Sequence, residues 1–237
     1  MDLRRSVALF RAFLVEQTEP DVFYGLLARD SVDQVRRYID LDGRLVADVG
    51  SGAGYFAAAF QAAGAHCICV DSDIDQLRAH SGTGGASLVG RGEQLPLSAG
   101  VVDLAYSSNL VEHVGDPWRL FGELIRITRP GGMVVVGFTN WLSPWGGHET
   151  SPWHYLGGHR AARRYERRHG RSPKNRYGNT LFPVGVAETL RWARRRPDVE
   201  LVDARPRYLP EAARAVLRLP GVREVATWNL LIALRRL

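Results

Sequence analysis

The segment Val46-Ala47-Asp48-Val49-Gly50-Ser51-Gly52-Ala53-Gly54 constrains the fold more than any other part of the chain. A short apolar run enters a turn with glycine at every second position, and a small-residue helix over residues 55–63 follows. Glycine at a strand-to-helix turn lets a bound molecule approach the backbone where any Cβ would clash. The helix that starts there presents unpaired N–H donors. Such a turn belongs to an α/β sheet that takes its ligand at the C-terminal edge of the strands.

The same alternation recurs along the chain. Residues 3–39 carry apolar residues at helical spacing, interrupted at Glu19-Pro20, which predicts two helices ahead of a first strand at 45–49. Further strands are expected at 66–70, 87–89, 103–106 and 133–138. Helices are expected at 74–80, before a glycine-rich turn, and from Asp116-Pro117 to 127, where Pro130-Gly131-Gly132 enforces the stop. Beyond Trp141 the pattern becomes a long excursion rich in Trp, His and Arg. Regular structure resumes with a helix over 188–195 and strands over 199–204 and 227–234. Strands alternating with helices imply a parallel sheet covered on both faces.

Composition limits the partners. The formal net charge is +6, yet Lys174 is the single lysine, so the basic surplus is nearly all arginine. With abundant Ala, Gly and Pro this suits a GC-rich genome, so local clustering of arginine says more than its total. No apolar run approaches the roughly 18–20 residues that a membrane span needs. The start Met1-Asp2-Leu3-Arg4-Arg5 lacks a signal-peptide core, and a cytoplasmic protein is expected. Cys67 and Cys69 fall on one face of a strand, which predicts core packing rather than a disulfide or zinc site.

Two details narrow the ligand. A dinucleotide fingerprint needs a third glycine, and Tyr55 occupies that position. Asp48 lies inside the end of the strand, where a hydride-transfer enzyme keeps an apolar residue. A carboxylate there can orient the glycine loop and hold an ammonium, a group that S-adenosylmethionine carries. Asp71, followed by Ser72, closes the second strand, where a carboxylate can accept from both ribose hydroxyls; NAD enzymes use the same device.

These residues resemble the class I S-adenosylmethionine-dependent methyltransferases, especially the small-molecule subgroup that includes ubiquinone and sugar O-methyltransferases. The resemblance covers roughly residues 45–138. It joins Ala47-Asp48-Val49-Gly50-Ser51-Gly52-Ala53-Gly54, Val70-Asp71, Gly92-Glu93-Gln94-Leu95-Pro96, Ser107-Ser108-Asn109-Leu110-Val111-Glu112-His113-Val114 and Arg129-Pro130-Gly131-Gly132, in the family's order. It implies a Rossmann-like methyltransferase fold: α/β, doubly wound, mostly parallel, with an antiparallel final strand, N-terminal helices and a large insertion after the fifth strand. It also implies S-adenosylmethionine as cofactor, held by Asp48, Gly50, Ser51, Gly52, Gly54, Asp71, Ser72, Gly92, Glu93 and Asn109. In the family an Asp before Leu95-Pro96 usually contacts adenine. Arg91 stands there in this chain, which leaves the Gly92 backbone or the Glu93 carboxylate for that contact. The later chain is similar to a group of actinobacterial methyltransferases marked by Gly146-Gly147-His148-Glu149 and Tyr155-Leu156-Gly157-Gly158. A single domain over 1–237 is expected: helical cap 1–43, cofactor-binding core 44–140, acceptor-side excursion 141–185, and C-terminal strands and helix 186–237.

Methyl transfer to a hydroxyl needs positioning and a base, and histidine is the usual base near neutral pH. His113 follows the fourth strand, while His148 and His154 lie in the excursion, and all three are candidates. Quinone-ring O-methyltransferases resemble Asn109-Leu110-Val111-Glu112-His113 but hold a metal with Glu, Glu and His. Asn109 replaces the first of those carboxylates, so a metal-free site is expected, with activity that survives chelation. Arginines at 160, 163, 164, 167, 168 and 171 make one helical stripe, which reads either as a solvated face or as a site for an anion: an anionic acceptor, acidic lipid headgroups or nucleic acid. Residues 209–225 read as a helix packed on the sheet, with an interfacial helix as the alternative. The expected partner is a polar small molecule or glycan, including lipid-linked ones at the inner face of the membrane. No segment resembles a dedicated nucleic-acid module. O-methylation is the leading reading; N- or C-methylation, including on RNA, and non-catalytic adenosylmethionine binding are the alternatives.

Overall fold

The computed structural model describes residues 2–16, 18–79 and 85–237. Two helices, α1 (Leu3–Leu14) and α2 (Pro20–Val35), precede β1 (Leu45–Val49). The order continues α3 (Tyr55–Ala62), β2 (His66–Asp71), α4 (Ile74–Ala79), β3 (Ala86–Val89), β4 (Val102–Ser108), α5 (Pro117–Ile127) and β5 (Thr128–Thr139). After the excursion, which contains α6 (Gly158–His169), come α7 (Val186–Arg195), β6 (Val199–Pro206), α8 (Val222–Ala226) and β7 (Asn229–Arg236). The expected end of α4 at His80 and the glycine-rich turn after it lie outside the described residues.

The seven strands form one sheet in the order β3-β2-β1-β4-β5-β7-β6. β7 runs antiparallel to both of its neighbours, and the other pairs are parallel. Strand alternation divides the apolar side chains between two cores. Ala47, Ala105, Val134 and Val136 pack with Leu120, Phe121 and Leu124 of α5 on one face. Val46, Leu104, Tyr106, Met133 and Val135 pack with Leu27 and Val35 of α2 and Phe60 of α3 on the other. Cys67 and Cys69 lie in this second core as free thiols, as expected. Burial pushes both up to about 12, which keeps them protonated and inert.

The helix ends follow their sequence signals. Asp2 caps α1 by accepting from the Arg5 N–H at 2.9 Å, and Pro20 and Pro117 occupy the first turns of α2 and α5. One boundary differs. Pro130-Gly131-Gly132 does stop α5, but these residues belong to β5 as an irregular stretch. The register jumps from Val102↔Thr128 to Leu104↔Met133, with Gly131 at φ +75° absorbing the extra residues. Among the described residues no helix is long and apolar enough to cross a membrane.

Candidate active site

β1 ends against a loop in which Gly50, Gly52 and Gly54 have φ of +74°, +51° and +79°. Side chains there would be strained in the left-handed region. A Cβ on Gly50 would also sit 3.0 Å from Leu110, whereas one on Gly52 would meet nothing within 4 Å. The open side of the loop therefore lies over Gly52. Asp71 fixes the loop to the end of β2: its Oδ2 accepts from the Gly52 N–H and its Oδ1 from the Asp73 N–H, both at 2.9 Å. A lone pair on each oxygen remains for ribose hydroxyls. Ser72 beside it is exposed.

Asp48 is 1% exposed, and neither carboxylate oxygen has a hydrogen-bond partner. Burial above all, opposed by the nearby Ala57 backbone N–H and reinforced by the Asp71 charge, pushes it up to about 7. A buried carboxylate without a donor is costly. An ammonium delivered over the glycine loop removes that cost, and the buried, unpartnered Ser51 hydroxyl lies in the same loop. The loop thus fits adenosylmethionine on its own geometry.

Leu110 connects this loop to the adenine side, because a Cβ on Gly92 would lie 3.3 Å from it and 2.8 Å from Leu120. The Glu93 carbonyl accepts from Arg119 Nε at 2.9 Å, and its carboxylate faces the Arg91 guanidinium at 3.6 Å. Arg91 thus engages the carboxylate expected to reach adenine, which favours the Gly92 backbone for that contact. Asn109, at φ +55°, donates its N–H to the Gly137 carbonyl and accepts from Asn229 Nδ2 at 2.8 Å. That side-chain oxygen holds β7 in place.

The turn after β4 gathers three titratable side chains. Glu112 and His113 lie in a short 3-10 turn (Val111–His113), and His148 starts another (His148–Thr150). One ligand atom from each of the three lies within 4.8 Å of the others. Glu112 is 1% exposed; its Oε1 accepts from the Thr139 N–H at 2.9 Å, and its Oε2 has no partner. His113 Nδ1 lies 2.8 Å from the Thr180 carbonyl, which can only accept, so the ring carries its proton there and turns a bare Nε2 outward in its neutral form. His148 Nε2 is buried without a partner, its backbone sits at φ +47°, and burial above all lowers its pKa to about 4. The Phe182 N–H also donates to the Glu112 carbonyl at 2.8 Å, so residues 180–182 pin this turn from outside. The expectation of a metal-free site counted only Glu112 and His113; His148 of the excursion is a third potential donor beside them.

His154, the third expected candidate, lies inside the excursion. It is 1% exposed, with Nε2 3.1 Å from the Ser143 carbonyl and Nδ1 3.4 Å from Ser151 Oγ. Both ring nitrogens thus have partners inside the excursion. The motif glycines are tightly packed there too. A Cβ on Gly146 would reach the Trp141 carbonyl oxygen at 2.0 Å, one on Gly147 the His154 ring at 2.6 Å, and one on Gly158 the Tyr177 ring at 2.2 Å. Along α6, Ala161 and Ala162 face inward while Arg160, Arg163, Arg167 and Arg168 are exposed and Arg164 lies over the Trp153 ring at 3.8 Å. The 209–225 segment, expected as a helix packed on the sheet, meets the core through the partly buried Leu217. It forms a 3-10 stretch (Glu211–Arg218) and α8, neither with a buried residue.

Arg207 was not anticipated from sequence. It is fully buried and donates to Ser108 Oγ at 2.8 Å, Ser31 Oγ at 2.9 Å and Tyr106 OH at 2.7 Å, which fixes the end of β4 against α2. Its partners lie 99 to 176 positions away, with no local pattern to announce them.

Comparison with known proteins finds methyltransferases. Residues 47–136 match the methyltransferase domain family. An uncharacterized methyltransferase of Mycolicibacterium gilvum is 48% identical, covering 98% of this chain and 94% of its own length. One from Mycobacteroides abscessus is 47% identical over the same shares. The crystal structure of an S-adenosylmethionine-dependent methyltransferase from Mesorhizobium loti superposes with a TM-score of 0.62 at 20% identity, covering 87% of this chain and 98% of that one. At that identity the likeness speaks for the fold.

Proposed function

The chain belongs to the class I S-adenosylmethionine-dependent methyltransferases, and from that premise we propose that it methylates an oxygen of a polar small-molecule or glycan-type acceptor. One observation carries the proposal. The turn that presses Leu110 against the cofactor loop also presents Glu112 and His113, joined by His148, as a cluster of under-partnered groups. Bound adenosylmethionine supplies a methyl on a sulfonium; as the O–CH3 bond forms, the S–CH3 bond breaks with its electron pair left on sulfur, and the hydroxyl proton leaves.

The residues of the chain supply position and proton removal. Asp48 and the glycine loop orient the donor, and Asp71 holds the ribose. The cluster receives the acceptor hydroxyl and draws off its proton. A hydroxyl needs that help where an amine does not, because a neutral amine attacks with a free lone pair. The exposed arginines of α6 supply a positive approach for an acceptor that carries phosphate or carboxylate groups.

The reading is tested with methyl-13C adenosylmethionine and a panel of hydroxylated metabolites and glycans. The expected product carries the label at an O–CH3 chemical shift, with one adenosylhomocysteine released per methyl. Label on nitrogen or carbon would contradict it. Adenosylhomocysteine binding without turnover across the panel would favour a binding protein.

A further inference from the structure

We propose that Glu112, His113 and His148 hold one divalent first-row transition metal ion at the acceptor end of the site. The inference rests on the methyl-transfer reading only for what the ion would activate; binding itself stands on the cluster. Two imidazoles and one carboxylate are a recurrent three-protein set for zinc or iron, with coordination positions left open for water or substrate. Magnesium, which prefers oxygen donors, fits this set poorly.

Four features of the cluster support an ion. The donor atoms lie within 4.8 Å of one another, and tetrahedral metal bonds of about 2.0–2.2 Å would need them to close by up to about 1.4 Å. Glu112 Oε2 and His148 Nε2 are both buried and have no hydrogen-bond partner, an arrangement that is costly unless a cation or donor lies between them. A single proton can bridge only one pair of the three groups, whereas an ion serves all of them.

Supporting contacts also orient the ligands. The Thr180 carbonyl fixes the His113 tautomer, and the Thr139 N–H fixes the Glu112 carboxylate, as outer partners do at metal sites. Finally, His148 adopts φ +47°, a conformation that disfavours a histidine and that clusters at functional sites. An acceptor hydroxyl on such an ion would lose its proton near neutral pH, as zinc-bound water does at about 7.

The test uses tag-free, full-length protein stripped of metal by chelator dialysis, with zinc titrated by calorimetry and cobalt(II) followed by visible absorption. One zinc per chain is expected, unaffected by millimolar magnesium. Glu112→Gln keeps an oxygen acceptor for the Thr139 N–H, and His148→Asn tolerates the left-handed backbone. Each is expected to weaken zinc binding by more than about 100-fold, beyond the loss of a merely supporting partner. Circular dichroism should remain unchanged. Absence of saturable binding, or a smaller loss in both variants, would overturn the site. Adenosylhomocysteine affinity on the same samples reports on the methyl-transfer reading separately. Cofactor binding without zinc binding removes the metal site alone, and zinc binding without cofactor binding upholds it while removing the transfer reading.

Discussion

Two carboxylates at the ends of neighbouring strands are the ones proposed to hold the cofactor, and their surroundings make them behave differently. Asp71 is hydrogen-bonded and half-buried; Asp48 is sealed and unpartnered. Removing the Asp71 side chain is expected to weaken adenosylhomocysteine by about 1.5–3 kcal/mol, the range for charge-assisted bonds to ribose. Calorimetry on Asp71→Ala with an unchanged circular dichroism spectrum checks this, and an unaltered affinity would remove the ribose contact. Asp48 predicts a pH effect whose sign follows from its raised pKa. The folded chain keeps this proton up to about 7, whereas the unfolded chain loses it near 3.8. Its contribution to stability is therefore full below the unfolded value and lost as pH rises towards 7. Cofactor binding runs the opposite way, because an ammonium favours the carboxylate. Affinity should rise with pH up to about 7 and then level off, with a proton released on binding at pH 6. Asp48→Asn should flatten that dependence, as titrations in buffers of different ionisation enthalpy would show.

At the scale of elements, what could be foreseen follows the range of the interactions. The strand, glycine turn and helix around Gly50, Gly52 and Gly54 depend on neighbours a few positions apart, and period and glycine spacing expose them directly. The alternation of β1, β4 and β5 between two cores was equally legible. His148 was named as a candidate, but nothing local tied it to Glu112 and His113, which lie some 35 positions earlier. That meeting depends on the strap at 180–182 and on a left-handed residue that leaves no periodic trace. For His154 the sequence shows only a histidine in the excursion, and packing is needed to show both its nitrogens engaged. The excursion's glycines carry a stability prediction. Gly146→Ala would drive a methyl into the Trp141 carbonyl, so a loss of about 1–3 kcal/mol is expected. For a chain of this size that is a fall in Tm of roughly 2–12 °C. A melting curve matching the parent would show that the excursion is looser than its contacts imply.

In the whole molecule, the sheet joins both cores, and along its C-terminal edge lie the glycine loop and Asp71, proposed to hold the donor, and Glu112, His113 and His148, proposed to receive the acceptor. A shared sheet predicts one cooperative unfolding transition. A ligand at about 100 times its Kd should add about 2.7 kcal/mol, and adenosylhomocysteine is expected to move the whole transition rather than split it. Scanning calorimetry with two peaks, only one shifted, would instead divide the chain into independent units. The central claim is that the acceptor's proton leaves at the cluster after β4, with His154 outside the chemistry. It is tested most directly by turnover of His113→Ala beside His154→Ala, at saturating adenosylmethionine and corrected for folded fraction. The account predicts a fall of about 10²–10⁴ for His113→Ala, the usual worth of acid–base assistance, and near-parental turnover for folded His154→Ala. Near-parental turnover in His113→Ala with collapse in folded His154→Ala would contradict it and move the chemistry into the excursion.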